Sequence, residues 1–189
     1  MATKKSDGGA LLPCAVLLRG VNLGGNRLSM KELVSRLTDS GLRDVRTYIQ
    51  SGNVVLRASG KQLDGLASLV EKLILDEFGL KVPATVRTRD ELAQVVKRNP
   101  FLKLGKAPES LHVAFLADAP SAASVEALDP TRSSPDEFRV VGREVFLHLP
   151  NGMAKTKLTN AYFDAKLGTM STARNWRTVL TLLDMLSDG

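Results

Sequence analysis

The order of strand and helix signals in the first half of the chain is the feature that most constrains its fold. Cys14 to Leu18 are all apolar, which is typical of a strand buried on both faces at the centre of a sheet. A helix is predicted from Met30, because Ser29 and Glu32 form a capping box that satisfies its first backbone N–H groups. Gly41 is placed to end that helix in the left-handed conformation.

A hairpin, a second helix and a closing strand are predicted next. Residues 45–50 alternate between apolar and polar, and Ser51-Gly52-Asn53 supplies a turn into a partner strand over 54–57. Apolar residues at helical spacing predict a helix over 61–78, and residues 82–87 form a short strand. The order strand, helix, strand, strand, helix, strand is that of the split βαβ unit of ferredoxin-like domains.

The second half repeats most of this order. Its predicted elements are a strand, a helix, a hairpin and two final helices, at 111–117, 120–128, 138–149, 158–167 and 173–186. We therefore predict an α+β fold of two similar ferredoxin-like halves, in which the second half lacks the last strand and ends in helices.

Proline and glycine mark the predicted boundary between the halves. A helix after Thr88 ends at Asn99-Pro100, and Gly105 and Pro108 favour a linker beyond it. The predicted divisions are a disordered N-terminus at 1–12, a first subdomain with a trailing helix at 13–99, a linker at 100–110 and a second subdomain at 111–189.

Basic residues outnumber acidic ones only in the first half of the chain. The whole chain carries 26 Lys and Arg against 20 Asp and Glu, a net charge of +6. Residues 1–100 hold 16 basic and 10 acidic residues, and residues 101–189 hold 10 of each. The excess predicts either a face for an anionic partner or a general solubility bias.

The single cysteine and the length of the apolar runs set the expected compartment. Cys14 has no partner for an internal disulfide and lies in an apolar run, so it is predicted to be a small core residue. No apolar run reaches the roughly 18 residues that a membrane helix needs, and no signal peptide is recognisable. We expect a cytoplasmic protein without a membrane partner.

The loop at 19–26 has the composition of an anion-binding loop. Its three glycines allow positive φ and close approach of a ligand, and it leads towards a helix N-terminus. Its spacing matches neither the Walker pattern nor the dinucleotide fingerprint. Two interpretations are open: Arg19, Asn22, Gly24 and Gly25 hold an anion, or Arg19 and the loop amides only tie the loop to its neighbours.

Two other stretches carry polar side chains without an evident packing reason. Gln50, Ser51 and Asn53 offer hydrogen bonds at the hairpin turn, although such a turn also caps itself. Arg174 and Asn175 lie at the predicted start of the last helix, where an arginine opposes the helix dipole. A fixed anionic partner for that arginine, either a ligand or a buried carboxylate, is therefore expected.

No catalytic or metal site is predicted. His112 and His148 lie in predicted strands and are expected to be packed or surface residues, and no cluster has metal-ligand spacing. Ser51 lacks the setting of a hydrolase nucleophile. The aromatic-rich run of an RNA-recognition motif is missing, and no cofactor is indicated.

The stretches at 19–25, 47–54 and 172–178 together resemble an uncharacterised bacterial family, domain of unknown function 1697. The resemblance spans nearly the whole chain, from Val16 to the last helix. It implies an α+β protein of two subdomains and no established activity. At Thr156-Lys157 the family more often has Ser-Lys.

Our leading hypothesis is a cytoplasmic binding module for a small anion, of which a nucleotide is one example, held at the junction of the two halves. Nucleic-acid binding by the basic first half, through Arg46, Tyr48, Arg57 and neighbouring lysines, is the alternative, and a transferase or hydrolase of unknown substrate is the third. Lys157 joins the predicted site because it follows a turn in the second half. The predicted ligand-binding residues are Arg19, Asn22, Gly24, Gly25, Gln50, Ser51, Asn53, Lys157, Arg174 and Asn175.

Overall fold

Two four-stranded antiparallel sheets, one from each half of the chain, form the framework of the protein. The structure is a computed structural model that describes residues 10–21 and 27–187. The first sheet has the order β2-β3-β1-β4 and the second the order β6-β7-β5-β8. The strands are β1 Leu11–Leu18, β2 Arg43–Tyr48, β3 Asn53–Ser59, β4 Ala84–Thr88, β5 Leu111–Leu116, β6 Glu137–Val141, β7 Glu144–His148 and β8 Ser171–Asn175.

All of the described helices except α3 begin where the sequence supplies a capping side chain. Ser29 Oγ accepts the Glu32 backbone N–H at 3.3 Å, and Thr88 and Glu91 form a reciprocal capping box. No helix in the described ranges is long and apolar enough to cross a membrane. The helices are α1 Met30–Asp39, α2 Gly60–Leu63, α3 Leu66–Phe78, α4 Arg89–Arg98, α5 Pro100–Lys103, α6 Ala122–Glu126, α7 Asn160–Leu167 and α8 Trp176–Ser187.

Three apolar clusters stack the elements into layers. One face of the first sheet packs on α1 and α3, and one face of the second sheet packs on α7. The other faces of both sheets meet in a central layer with α4 and α8, where Ala15, Val113 and Trp176 are buried together. Both sheets are therefore covered on both faces, which agrees with the run of apolar residues in β1.

The structure confirms an α+β fold of two similar halves and corrects one element of it. The prediction that the second half lacks its last strand is wrong, because residues 171–175 form β8 and pair with β5. The predicted final helix accordingly begins at Trp176 instead of Ala173. Without β8 the N–H and C=O groups along that edge of β5 would have no partners, so tertiary pairing decides the conformation of a segment with weak local preference. The likeness of each half to ferredoxin-like domains stays a prediction.

Three smaller differences concern where the predicted elements begin and end. The helix predicted over 61–78 is two helices, α2 and α3, which are separated at Asp64-Gly65. The region predicted as a linker holds α5 and a 3₁₀ turn at Pro108–Ser110. The N-terminal strand begins at Leu11, so it includes the last two residues of the predicted N-terminal tail.

Candidate functional site

Arg174 leaves β8 in the second half and crosses to the first half, and its N–H groups are bonded to acceptors in both halves. Its side chain is buried, with the residue 9% exposed. Nε donates to Asn53 Oδ1 at 2.5 Å, and Nη2 donates to Leu18 O at 2.7 Å and to Gly52 O at 3.2 Å. Nη1 donates within β8, to Thr172 Oγ1 at 2.9 Å and Ala173 O at 2.8 Å. The five donors of the guanidinium are thus matched by five acceptors.

Every one of these acceptors is neutral. No carboxylate in the described part of the chain forms an ion pair with Arg174. Burial lowers the pKa of Arg174 to about 10, since the charged form loses hydration that the neutral acceptors replace incompletely. The guanidinium is still charged at pH 7, so a buried positive charge lies at the junction of the halves without a counterion from residues 10–21 or 27–187.

A cleft of about 470 Å³ opens beside this charge. We call it the junction cleft, because its walls come from the end of β1, the β2–β3 turn and β8 together with the start of α8. Asn175 Oδ1 caps α8 by accepting the Thr178 N–H at 2.8 Å, so the positive end of the α8 dipole faces the same space. The described residues that line the cleft are Leu18, Gly20, Val21, Ile49, Gln50, Ser51, Asn160, Thr172, Ala173, Arg174, Asn175 and Thr178.

Four of the predicted site residues line the junction cleft: Gln50, Ser51, Arg174 and Asn175. Asn53 is buried behind the cleft, where it holds Arg174 and donates from Nδ2 to Ser51 Oγ at 2.9 Å. The structure therefore brings the turn and β8 together, as the hypothesis of a single site requires.

The remaining predicted residues have other positions. Arg19 follows β1 and forms an ion pair with Asp164 of α7, so its charge is neutralised within the protein. Lys157 does not line the cleft, because its backbone is held elsewhere: its N–H donates to Ser133 Oγ at 2.9 Å. Asn22, Gly24 and Gly25 lie outside the described residues.

The cleft has the chemistry of a binding site. Its described lining contains one charged side chain, Arg174, together with amides, hydroxyls and apolar groups. Ile49 at its rim has a φ of +49° and is 54% exposed, an uncommon combination for a β-branched residue. Such strain is found preferentially at functional sites.

Sequence comparison assigns the chain to a family. The model of the family described as "Protein of unknown function (DUF1697)" matches residues 13–146. The chain belongs to the DUF1697 family. No curated protein matches this DUF1697 chain.

A solved structure shares the fold. The conserved bacterial protein SP0830 from Streptococcus pneumoniae is similar to this DUF1697 chain with a TM-score of 0.74 and 22% identity. The similarity covers 95% of this chain and 100% of the other. At this level of identity the likeness concerns the fold alone.

Arg87 is a buried counterpart of Arg174 that the sequence reasoning missed. It leaves β4 in the first half and is 1% exposed. Its guanidinium crosses into the second half with a matching set of bonds: to Glu144 Oε1 at 2.9 Å, Leu116 O at 2.7 Å, Arg143 O at 3.0 Å and, within β4, Val86 O at 2.9 Å. In this DUF1697 chain, Arg87 thus extends from the first half to the second, and Arg174 extends from the second half to the first.

The signal for this pair was present in the sequence. Thr85-Val86-Arg87-Thr88 in β4 matches Thr172-Ala173-Arg174-Asn175 in β8, and in each case the last residue caps the helix that follows. Strand register supports the match, because Arg87 lies opposite Ala15 of β1 and Arg174 lies opposite Val113 of β5. A four-residue match is too short to be noticed before the strands are aligned.

The counterparts differ in one decisive acceptor. Asn53 is opposite Leu17 of β1, and Glu144 is opposite Phe115 at the equivalent position of β5. Glu144 therefore gives Arg87 a carboxylate where Asn53 gives Arg174 an amide. Burial lowers the pKa of Arg87, and the Glu144 carboxylate opposes that shift. Of these two buried arginines, only Arg174 keeps an uncompensated charge.

The two arginines named for nucleic-acid binding are engaged in the fold. Arg46 donates to Met185 O at 2.7 Å, and Arg57 pairs with Asp44 at 3.2 Å. Tyr48 is half-buried against the central layer, so only part of its ring is open as a stacking surface. Among the described residues, no group of three or more His, Cys, Asp or Glu side chains could hold a metal ion.

Proposed function

We propose that this protein is a cytoplasmic binding module for a small anion, with a phosphate or carboxylate group held in the junction cleft. The observation that carries the proposal is the buried charge of Arg174, whose acceptors are all neutral. The buried, unpaired state of Cys14 agrees with a reducing compartment.

Electrostatics favour an anion at this position. A buried charge without a counterion is unfavourable for the fold, and an anion in the adjoining cleft relieves part of that cost. The attraction is stronger than at an open surface, because the cleft is bounded by protein of low polarisability. The start of α8 adds a second favourable field of the same sign.

The comparison of Arg174 with its counterpart Arg87 supports the same conclusion. If the fold itself required a buried arginine with neutral acceptors, both halves would have one; instead the second half supplies Glu144. Because the Asn53 amide is neutral, it does not compensate the charge of Arg174, and a bound anion can do so. A nucleotide-like compound is an attractive candidate, since the cleft volume of about 470 Å³ is in the range of small-molecule sites.

A charge change at Ser51 tests the proposal. Ser51 is exposed in the cleft wall, so Ser51→Asp adds a carboxylate beside the proposed anion without disturbing the core. Ser51→Asn has nearly the same size and no charge. In calorimetric titrations with pyrophosphate we expect Ser51→Asp to weaken binding by about tenfold or more and Ser51→Asn by about twofold or less.

A different pattern would contradict the proposal. Equal affinities for the Asp and Asn variants would show that the anion binds away from the cleft. Absence of pyrophosphate, nucleotide and sugar-phosphate binding by the unmodified protein at low ionic strength would remove the proposed function itself.

A further inference from the structure

We propose that a second cleft, beside β4, binds an organic cation carrying a primary ammonium group. This β4 cleft has a volume of about 690 Å³, and its polar lining residues are Asp64, Thr85, Arg87, Thr88, Glu91, Asp118 and Arg143. It lies next to Arg87 as the junction cleft lies next to Arg174. The inference goes beyond anion binding and rests on different residues.

The fixed charges of the β4 cleft favour a cation. Arg87 is neutralised by Glu144, and Arg143 forms an ion pair with Glu91. Asp64 and Asp118 remain, and neither has an ion pair among the residues that the structure describes. The described lining therefore carries a net negative charge, opposite in sign to that of the junction cleft.

A buried hydroxyl in the same cleft lacks a partner. Thr85 is 2% exposed, and no hydrogen-bond partner from the described residues reaches its Oγ1. Thr85 lies on the same face of β4 as Arg87, and its counterpart Thr172 accepts a bond from Arg174 at 2.9 Å. Because buried hydroxyls are nearly always bonded in folded proteins, an oxygen left without a bond at this position points to a donor that arrives with a ligand.

An ammonium group is the cation whose charge and N–H donors suit a hydroxyl oxygen and carboxylates in one cleft. It is a compact charge with three N–H donors and can bond a hydroxyl oxygen and carboxylates together. A metal ion fits less well, since the described residues offer no cluster of three His, Cys, Asp or Glu ligands. Leu63, Ala67 and Val86 add an apolar wall for the alkyl part of an amine.

The test is a titration of the ¹⁵N-labelled full chain with n-butylammonium chloride, at ionic strength held constant with sodium chloride. n-Butanol serves as the uncharged match. We expect butylammonium, and not butanol, to shift amide signals around Asp64, Ala84–Thr88 and Asp118. Thr85→Val keeps the shape and removes the unbonded oxygen, so it should fold well and weaken butylammonium binding by about tenfold.

Charge variants complete the experiment. Asp64→Asn with Asp118→Asn should weaken butylammonium binding by about tenfold or more, while Asp39→Asn on exposed α1 should leave it within about twofold. Unchanged affinity in Thr85→Val, or equal shifts with butanol, would overturn the proposal. Ser51→Asp should not change the affinity for butylammonium. Failure of ammonium binding at the β4 cleft can therefore be distinguished from failure of anion binding at the junction cleft.

Discussion

At the scale of single residues, one side chain decides the character of each cleft. Asn53 and Glu144 occupy equivalent positions and contact equivalent arginines, yet only the carboxylate neutralises its partner. The sequence indicated Asn53 and Arg174 as polar residues without a packing role. Their mutual contact could not be predicted, because they are 121 positions apart and a long-range contact leaves no local pattern.

Burial also determines the chemistry of Cys14. Desolvation in the core raises the pKa of its thiol to about 12, and the nearby Glu91 charge acts in the same direction. We expect the native protein to react with a thiol reagent at pH 8 only as fast as it opens, and the protein in guanidinium chloride to react at once. Rapid labelling of the folded protein would contradict this assignment.

The raised pKa of Cys14 also determines how the stability of the protein changes with pH. The unfolded chain releases the Cys14 proton near the ordinary pKa of 9.0, well before the folded protein does. This group therefore lowers the free energy of unfolding as pH rises from about 9 towards 12, by up to about 1.4 kcal/mol per pH unit. Cys14→Ala should show a smaller fall over that range in denaturant titrations.

At the scale of elements, the predicted helices and strands are present where the local sequence preference agrees with the tertiary contacts. The capped helices α1 and α4 and the β6–β7 hairpin have strong sequence signals and are present. β8 has the residues Ser-Thr-Ala-Arg-Asn, which favour no element strongly, and only the open edge of β5 makes it a strand. The same strand places Arg174 beside Asn53, so the missed element and the missed contact have one cause.

The β2–β3 turn offers a matched test of steric fit. Gly52 and Gly20 both have positive φ, at +76° and +70°, so alanine strains the backbone at both. A Cβ at Gly52 would lie 2.5 Å from Val21 Cγ2 and 2.8 Å from Leu18 Cβ, whereas a Cβ at Gly20 meets no atom of the described residues within 4 Å. We expect Gly52→Ala to lower the free energy of unfolding by about 2–4 kcal/mol and Gly20→Ala by about 1 kcal/mol. Equal losses in urea titrations would mean that the turn moves to accept the methyl group.

At the scale of the whole molecule, the crossed arginines join the halves into one unit. Each guanidinium starts on the outer strand of one sheet and bonds backbone carbonyls of the other half. The central layer with α4 and α8 adds a shared apolar core. We therefore expect the two halves to unfold in a single transition.

Arg87→Met tests this coupling. It removes four hydrogen bonds between or within the halves and leaves the Glu144 side chain, which is only 13% exposed, without its cation, so the free energy of unfolding should fall by about 3 kcal/mol. Arg36→Met, which removes an exposed ion pair with Glu77, should cost less than about 1 kcal/mol. Trp176 fluorescence and far-ultraviolet circular dichroism should report the same midpoint in urea. Separate midpoints, or equal losses for the two variants, would contradict the coupling.

The most direct test of anion binding at the junction cleft is a map of where an anion binds. In a titration of the ¹⁵N-labelled protein with pyrophosphate at low ionic strength, we predict that shifted amide signals cluster at Gly20, Gln50, Ser51, Asn175 and Thr178. Signals beside Arg87, at Thr85, Asp118 and Arg143, should stay in place, because Glu144 neutralises that arginine. Shifts centred on Arg87, shifts spread over the basic surface, or no shifts at all would contradict the claim that the uncompensated charge of Arg174 makes the binding site.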